Sequence, residues 1–315
     1  MAEIPVVDFS CFNSFDGASF VESNTQINDL AKEIYDAFST IGFVYIKNHG
    51  IPTEKVTKLF EVAERFFKLP TKTKQPFATE FSVTNYHGWM AAGREIVDPD
   101  EPYDLKEAFD IVRPYDDDIP WPTGNCSDFQ EITKDFFQCC EKLSHGILDL
   151  IAHGLKLDDR KIFRKTHGKF GTPDNKTSLR LLYYPFNADL EAGQIRLGQH
   201  SDYGTITLLF QDQIGGLEVF SQKEGFVPAR PIEETILVNI GDLLQRWTND
   251  KLVSTRHRVV VPQDELLRLK SRQSAAFFVL PENTTMVECL DGSNKYPPVT
   301  ALDYLNQRLG DTYLY

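Results

Sequence analysis

His200 and Asp202 stand two residues apart in Leu197-Gly-Gln-His-Ser-Asp-Tyr-Gly-Thr-Ile-Thr-Leu-Leu-Phe210, where a strand-like run of apolar and β-branched residues begins. Residues i and i+2 of a strand share a face, so an imidazole and a carboxylate placed this way can be presented to one ion. Alone the pair says little: with 7 histidines in 315 residues, a His-x-Asp triplet arises by accident roughly 0.6 times. His257, flanked by Arg256 and Arg258, follows after enough chain for several strands to bring it back beside the pair. Two imidazoles and one carboxylate on one face of an octahedral ion, with the other positions open, is the arrangement of non-haem Fe(II) oxygenases. The same three groups suit a zinc hydrolase, and a buried histidine bonded to backbone is commoner than a ligand. Residue types alone leave these readings open.

A second pair lies downstream. Arg272 and Ser274, again at i and i+2, enter the apolar run Ala275-Ala-Phe-Phe-Val-Leu280. A guanidinium offers a planar fork that matches a carboxylate, and the hydroxyl adds one more polar hydrogen beside it. An arginine entering a core strand needs an anion, because an unpaired buried charge is costly. That anion is either an internal Asp or Glu or the carboxylate of a ligand.

Such residues need a β scaffold, and the chain after residue 178 supplies one. Strand-like runs separated by turn signals occupy 178–184, 205–210, 217–220, 235–240, 252–261, 274–280 and 285–290, a spacing that suggests a sandwich, barrel or jelly roll. The earlier part is mixed. Residues 4–9 read as a strand, and Ser23 with Gln26 reads as a capping box before Ile27, Leu30, Ala31, Ile34, Tyr35 and Phe38 at helical spacing. Residues 42–47 form another strand, and a helix follows Pro52. Residues 98–123 read as a long Pro- and Asp-rich loop broken by the apolar run 108–112, and Asp128 with Glu131 opens the longest helical pattern. Residues 303–309 predict a closing helix. The whole predicts a mainly β fold with flanking helices: a helix and strand region over 1–125, a backbone helix over 126–177, a β core over 178–290 and a C-terminal helix over 291–315, in one compact unit.

Composition narrows the function. With 41% hydrophobic residues the chain can build a sizeable core, while a formal charge of −13 argues against phosphate backbones and anionic lipid as partners. The 5 cysteines are odd in number and lack CxxC spacing, which fits a reducing compartment. No leader pattern and no run of about 18 apolar residues occurs. The expectation is a soluble cytoplasmic protein with no membrane, nucleic-acid or obligatory protein partner.

The set His200-Ser-Asp202, His257 and Arg272-Gln-Ser274, in this order, resembles the iron(II)/2-oxoglutarate-dependent oxygenases of the isopenicillin N synthase-like superfamily. Other segments are similar to stretches of that family: Ile4-Pro-Val-Val-Asp-Phe9, Gly42-Phe-Val-Tyr-Ile-Lys-Asn-His-Gly-Ile-Pro52, Leu182-Tyr-Tyr-Pro185, Gly215-Gly-Leu-Glu-Val219, Asn239-Ile-Gly-Asp-Leu-Leu244 and Trp247-Thr-Asn-Asp250. The similarity runs through nearly the entire chain. It implies a distorted double-stranded β-helix, a jelly-roll relative, with His200, Asp202 and His257 as iron ligands. By the same resemblance Arg272 and Ser274 hold the distal carboxylate of 2-oxoglutarate, with Tyr184 beside them. Leu182 departs from many relatives, which have Asn there, and removes one polar contact to the co-substrate.

The resemblance further implies oxidation of a small-molecule substrate by O₂, as hydroxylation, desaturation or cyclisation, with release of succinate and CO₂. Tyr86, Trp89, Arg94, Phe109 and Arg180 are candidates for the substrate pocket; for the two arginines, ion pairing within the protein is the competing role. An oxidase of the same superfamily that uses no 2-oxoglutarate, of the isopenicillin N synthase or aminocyclopropane-carboxylate oxidase type, carries the same Arg-x-Ser pair. A ligand-binding relative without activity is the remaining alternative. His49 reads as structural; His87, His145, His153 and His167, each followed by glycine, read as residues of turns or element ends. Gly215-Gly216 reads as a tight turn, Asp116-Asp-Asp118 as a solvated loop, and residues 296–315 as a lid or a packed helix.

Overall fold

The computed structural model describes residues 4–13, 25–79, 87–93, 105–186 and 194–312. Twelve strands build the frame: β1 (Val6–Asp8), β2 (Phe43–Lys47), β3 (Gly88–Met90), β4 (Glu107–Ile111), β5 (Ser178–Tyr184), β6 (Ile195–His200), β7 (Ile206–Gln211), β8 (Leu217–Ser221), β9 (Gly225–Pro228), β10 (Thr235–Ile240), β11 (His257–Val260) and β12 (Arg272–Val279). Eight of them form one sheet in the order β1-β2-β10-β7-β12-β5-β4-β3, and four form a smaller one, β6-β11-β8-β9. The first four strands, all from the 1–125 segment, thus extend the larger sheet at both of its edges.

Alternation along the larger sheet sorts its side chains into two sets. Val44, Ile46, Phe109, Leu179, Leu181, Leu208, Phe210, Val238 and Phe277 join the main core under the helices. The long helix Phe129–Gly154 packs there through edge-on rings, Phe136 on Phe210 and Phe137 on Phe277, both at 4.9 Å between centroids. The opposite set, Phe43, Tyr45, Ala108, Leu182, Tyr184, Leu237 and Ala276, forms a second buried cluster with Leu217, Val219 and Val259 of the smaller sheet. Two sheets closed over a shared interior, with helices on the outer face, is the double-stranded β-helix layout that the family resemblance implies.

Local differences from expectation have identifiable causes. The helix that begins at Thr25 lies beyond Ser23, which falls outside the described residues. Asp128 is the N-cap of the long helix but does not cap it with its side chain; it pairs with Arg65 Nη2 at 2.6 Å instead. The apolar run inside the expected loop is β4, an inner strand of the sheet. The run at 252–261 becomes a strand only over His257–Val260, because Thr255 Oγ1 donates to Ile41 O and ties the preceding turn to another segment. Of 285–290 only Met286–Val287 is extended, paired with Val299–Thr300. β6 and β9 are additional strands; the Arg, Gly and Gln content of β6 hides it from a hydrophobic pattern. His145 sits inside the long helix rather than at an end, stacked on Phe170 with Nε2 bonded to His167 O.

Gly215 and Gly216 have φ of 78° and 92° and form the expected turn between β7 and β8. Residues 301–312 are a packed helix, with Ala301 and Leu305 buried. Among the described residues no helix is long and apolar enough to cross a membrane.

Candidate functional site

His200 and His257 face each other as a cross-strand pair of β6 and β11, with ring centroids 4.3 Å apart. Asp202 is not on a strand. It lies two residues past the end of β6, in a bend whose backbone is clamped by the start of the helix Asp242–Trp247. Asp242 N–H donates to Asp202 O at 2.7 Å, Leu243 N–H to Gly204 O at 3.1 Å, and Gly241 N–H to Thr205 O at 2.9 Å. His200 and Asp202 therefore do not share a strand face: a bend, held from outside, turns the carboxylate toward the histidines.

The outer atoms of all three side chains are already used. His200 Nδ1 donates to Gly198 O at 2.8 Å and His257 Nδ1 to Thr255 O at 3.1 Å, which fixes each ring and leaves its Nε2 lone pair free. Asp202 Oδ2 accepts from Thr207 Oγ1 at 2.6 Å and Asn239 Nδ2 at 2.7 Å. Asp202 Oδ1 is then the oxygen that faces the rings, 3.9 Å from His200 Nε2 and 3.6 Å from His257 Nε2. The three candidate ligand atoms lie within 4.8 Å of one another. Burial and then the neighbouring His257 hold His200 down at about 4, so its imidazole is neutral and competent to ligate near neutral pH. Burial alone raises the Asp202 carboxyl, but the two imidazoles and the Asn239 and Thr207 donors outweigh it and leave the group below its ordinary value. Two imidazoles and one carboxylate fit a divalent ion with open positions, and the donor set matches iron.

Deeper in the same interior, Arg272 is 1% exposed. Its Nε donates to Gly215 O at 2.9 Å, its Nη1 to Ser274 Oγ at 3.1 Å, and its guanidinium lies 4.9 Å from the ring centre of Tyr184. Tyr184 is its partner in the β12–β5 register. Among the described residues no carboxylate pairs with Arg272. Of the two anions allowed by the sequence, the internal one makes no direct contact with Arg272 among the described residues.

The remaining candidates separate. Trp89 and Phe109 are cross-strand partners on the helix side of the sheet, where Trp89 Nε1 donates to Glu107 Oε2 at 2.6 Å and Phe109 packs on Phe66 and Phe129. They are core residues and not pocket wall; Met90 and Ala108, their neighbours in sequence, face the interior instead. Arg180 faces inward but forms a two-point pair with Asp110, at 2.7 and 2.8 Å. Tyr86 and Arg94 lie outside the described residues. Leu182 joins the apolar inner cluster beside Tyr184. His49 accepts from Ile51 N–H through Nδ1 at 3.2 Å, a turn-fixing role. Residue types alone do not single out Thr207 or Asn239, although Asn239 is an amide next to the end of an otherwise apolar strand.

Comparison with known proteins gives the same picture over the whole length. The profile of the 2OG-Fe(II) oxygenase superfamily matches residues 175–281, and that described as non-haem dioxygenase in morphine synthesis N-terminal matches 4–130. Similar proteins include the 2-oxoglutarate-Fe(II) type oxidoreductase ppzD of Metarhizium rileyi, 33% identical over 90% of this chain and 86% of its own. Proline hydroxylase buaE of Petromyces alliaceus is 35% identical over 90% and 93%. A full-length Neurospora crassa protein crystallised with alpha-KG and thymine superposes with a TM-score of 0.82 and 34% identity, covering 98% of this chain and 96% of that one. By sequence, fold and site chemistry together, the chain belongs to the 2OG-Fe(II) oxygenase superfamily and is a non-haem iron, 2-oxoglutarate-dependent dioxygenase.

Proposed function

We propose that His200 Nε2, Asp202 Oδ1 and His257 Nε2 hold the Fe(II), that Arg272 and Ser274 bind the distal carboxylate of 2-oxoglutarate beside Tyr184, and that the substrate is a small molecule. The observation that carries this reading is the convergence of three unspent ligand atoms whose partner atoms are all occupied by hydrogen bonds. Fe(II) with 2-oxoglutarate supplies the oxidising power, coupling O₂-dependent oxidation of the substrate to decarboxylation of the co-substrate to succinate and CO₂.

The chain's own part is positioning and exclusion. Gly198 O and Thr255 O orient the imidazoles, Thr207 and Asn239 orient the carboxylate, and Gly215 O and Ser274 Oγ fix the Arg272 guanidinium. The apolar wall of Met90, Ala108, Leu182, Leu217, Val219 and Ala276 keeps water from the reacting centre. The buried Arg180–Asp110 pair supports a wall role for Arg180 over direct anion capture. Relatives named for proline hydroxylation and crystallised with thymine support a small substrate, and five unpaired cysteines support a reducing, cytoplasmic setting.

The test is anaerobic reconstitution with Fe(II) and 2-oxoglutarate, admission of O₂, and a metabolite screen read by succinate. Substrate-dependent succinate is expected. Product formed without succinate would establish the 2-oxoglutarate-independent oxidase instead.

A further inference from the structure

Arg196, on β6 four residues before His200, is 1% exposed. Among the described residues its Nε, Nη1 and Nη2 have no hydrogen-bond partner at all. A guanidinium carries five N–H groups and a permanent charge, so leaving it buried and unpaired is among the costliest things a core can do. A structural arginine would have found a carboxylate or a row of carbonyls. Among the described residues this one has neither, which leaves it available to an anion.

Its place says which anion. Val260 pairs with Ile195, the residue before Arg196, and Val260 N–H donates to Gly216 O at 2.8 Å. Gly216 follows Gly215, whose carbonyl accepts from Arg272 Nε. The β7–β8 turn thus ties both arginines to the same end of the barrel. Burial first, and then the Arg272 charge, push the Arg196 guanidinium below its ordinary value, while Tyr184 and Asp212 pull the other way. Asp212 does not neutralise the pair by direct contact: its Oδ1 accepts from Ile214 N–H at 3.0 Å and its Oδ2 from Gln273 N–H. Two buried cations and one carboxylate leave one negative charge wanting, and the distal carboxylate of 2-oxoglutarate brings one.

We propose that Arg196 is a second guanidinium for that distal carboxylate, so that the co-substrate is gripped from β6 as well as from β12. The inference rests on the proposed function and adds a specificity-determining residue to it. Two arginines on one carboxylate select a dicarboxylic 2-oxo acid over a monocarboxylic one with the same chelating head.

The test is calorimetric titration of the full chain, loaded with Mn(II), with 2-oxoglutarate and with pyruvate. Arg196→Met is expected to raise the Kd for 2-oxoglutarate about 10- to 100-fold and to leave pyruvate within about twofold. Arg196→Lys is expected to fall between the two. Because the methionine removes an unpaired buried charge, the melting temperature without co-substrate should hold or rise, while the increase given by 2-oxoglutarate shrinks. Unchanged 2-oxoglutarate affinity in Arg196→Met, with Arg272→Met weakened, overturns the role of Arg196 and leaves the proposed function standing. Equal losses for both 2-oxo acids, or a lower melting temperature in both Arg196 variants, assign it to the fold and overturn the inference. Wild-type protein that binds Mn(II) and no 2-oxoglutarate defeats the underlying reading itself.

Discussion

Replacing Asn239 with leucine removes one of the two donors on Asp202 Oδ2 without touching any of the three metal-facing atoms. Asn239 Nδ2 is 2.7 Å from that oxygen and Thr207 Oγ1 2.6 Å, and both residues are buried. Leucine keeps the branched shape of asparagine but is bulkier, so no cavity is left and the added bulk contributes about 1 kcal/mol or more of packing strain to stability. In the metal-free protein the lost bond to a charged acceptor costs about 1.5–3 kcal/mol of stability. In the metal-loaded protein the larger effect is on orientation, because one donor no longer fixes which carboxylate oxygen faces the imidazoles. Loss of such a partner typically weakens metal affinity about 10- to 100-fold. Equilibrium Mn(II) binding, followed by the magnetic resonance signal of the free ion, measures it directly, with near-ultraviolet circular dichroism as a check on the fold. A folded variant whose Kd stays within about twofold of wild type would show that Asn239 does not orient the ligand and that the ordering of partner atoms around the triad is incidental.

Other consequences follow from the same contacts. A Cβ at Gly241 would lie 2.4 Å from Gly204 O and 3.1 Å from Asp202 O, so Gly241→Ala should displace the Asp202 bend and lower metal affinity by at least about tenfold; unchanged Mn(II) binding would refute the clamp. Asp110→Ala removes the two-point pair with the Arg180 guanidinium and should cost about 3 kcal/mol in chemical unfolding, whereas a change below about 1 kcal/mol would mean that the pair is dispensable. His167 is buried, bonded to Phe163 O and Thr205 Oγ1, and held by that burial down at about 3. The unfolded chain takes a proton on this group below about 6.5 and the native state does not, so stability is lost as pH falls through that window, by about 1.4 kcal/mol per unit. His167→Gln should flatten the pH dependence of unfolding between about 6 and 4; an unaltered slope would assign the loss elsewhere.

The legible part of the site was the part written in local spacing. His200, Asp202, His257, Arg272 and Ser274 stood out because polar residues entering β-rich runs are conspicuous, and β5 and β10 were bounded correctly by their flanking turn residues. What lay hidden depends on register and on distant segments. Trp89 and Phe109 are aromatic and sit next to inward-facing residues, yet one step of strand alternation sends them to the helix side and turns Met90 and Ala108 inward. Nothing local tells which parity faces the pocket until the pairing with β5 is known. Arg180 met its partner 70 residues earlier in the chain, a pairing that no periodicity reveals. Arg196 was invisible because its strand carries too little apolar pattern to be seen as one.

The most direct measurement is succinate formation from 2-oxoglutarate by Fe(II)-loaded wild-type protein and by Asp202→Ala, side by side, with thermal melting as the fold control. Wild type should release succinate in a manner that needs both Fe(II) and O₂. Asp202→Ala should fall to the level without protein while melting as a folded chain, since its two donors lose only their shared acceptor. Succinate release by Asp202→Ala at the wild-type rate would contradict the assignment of the metal centre.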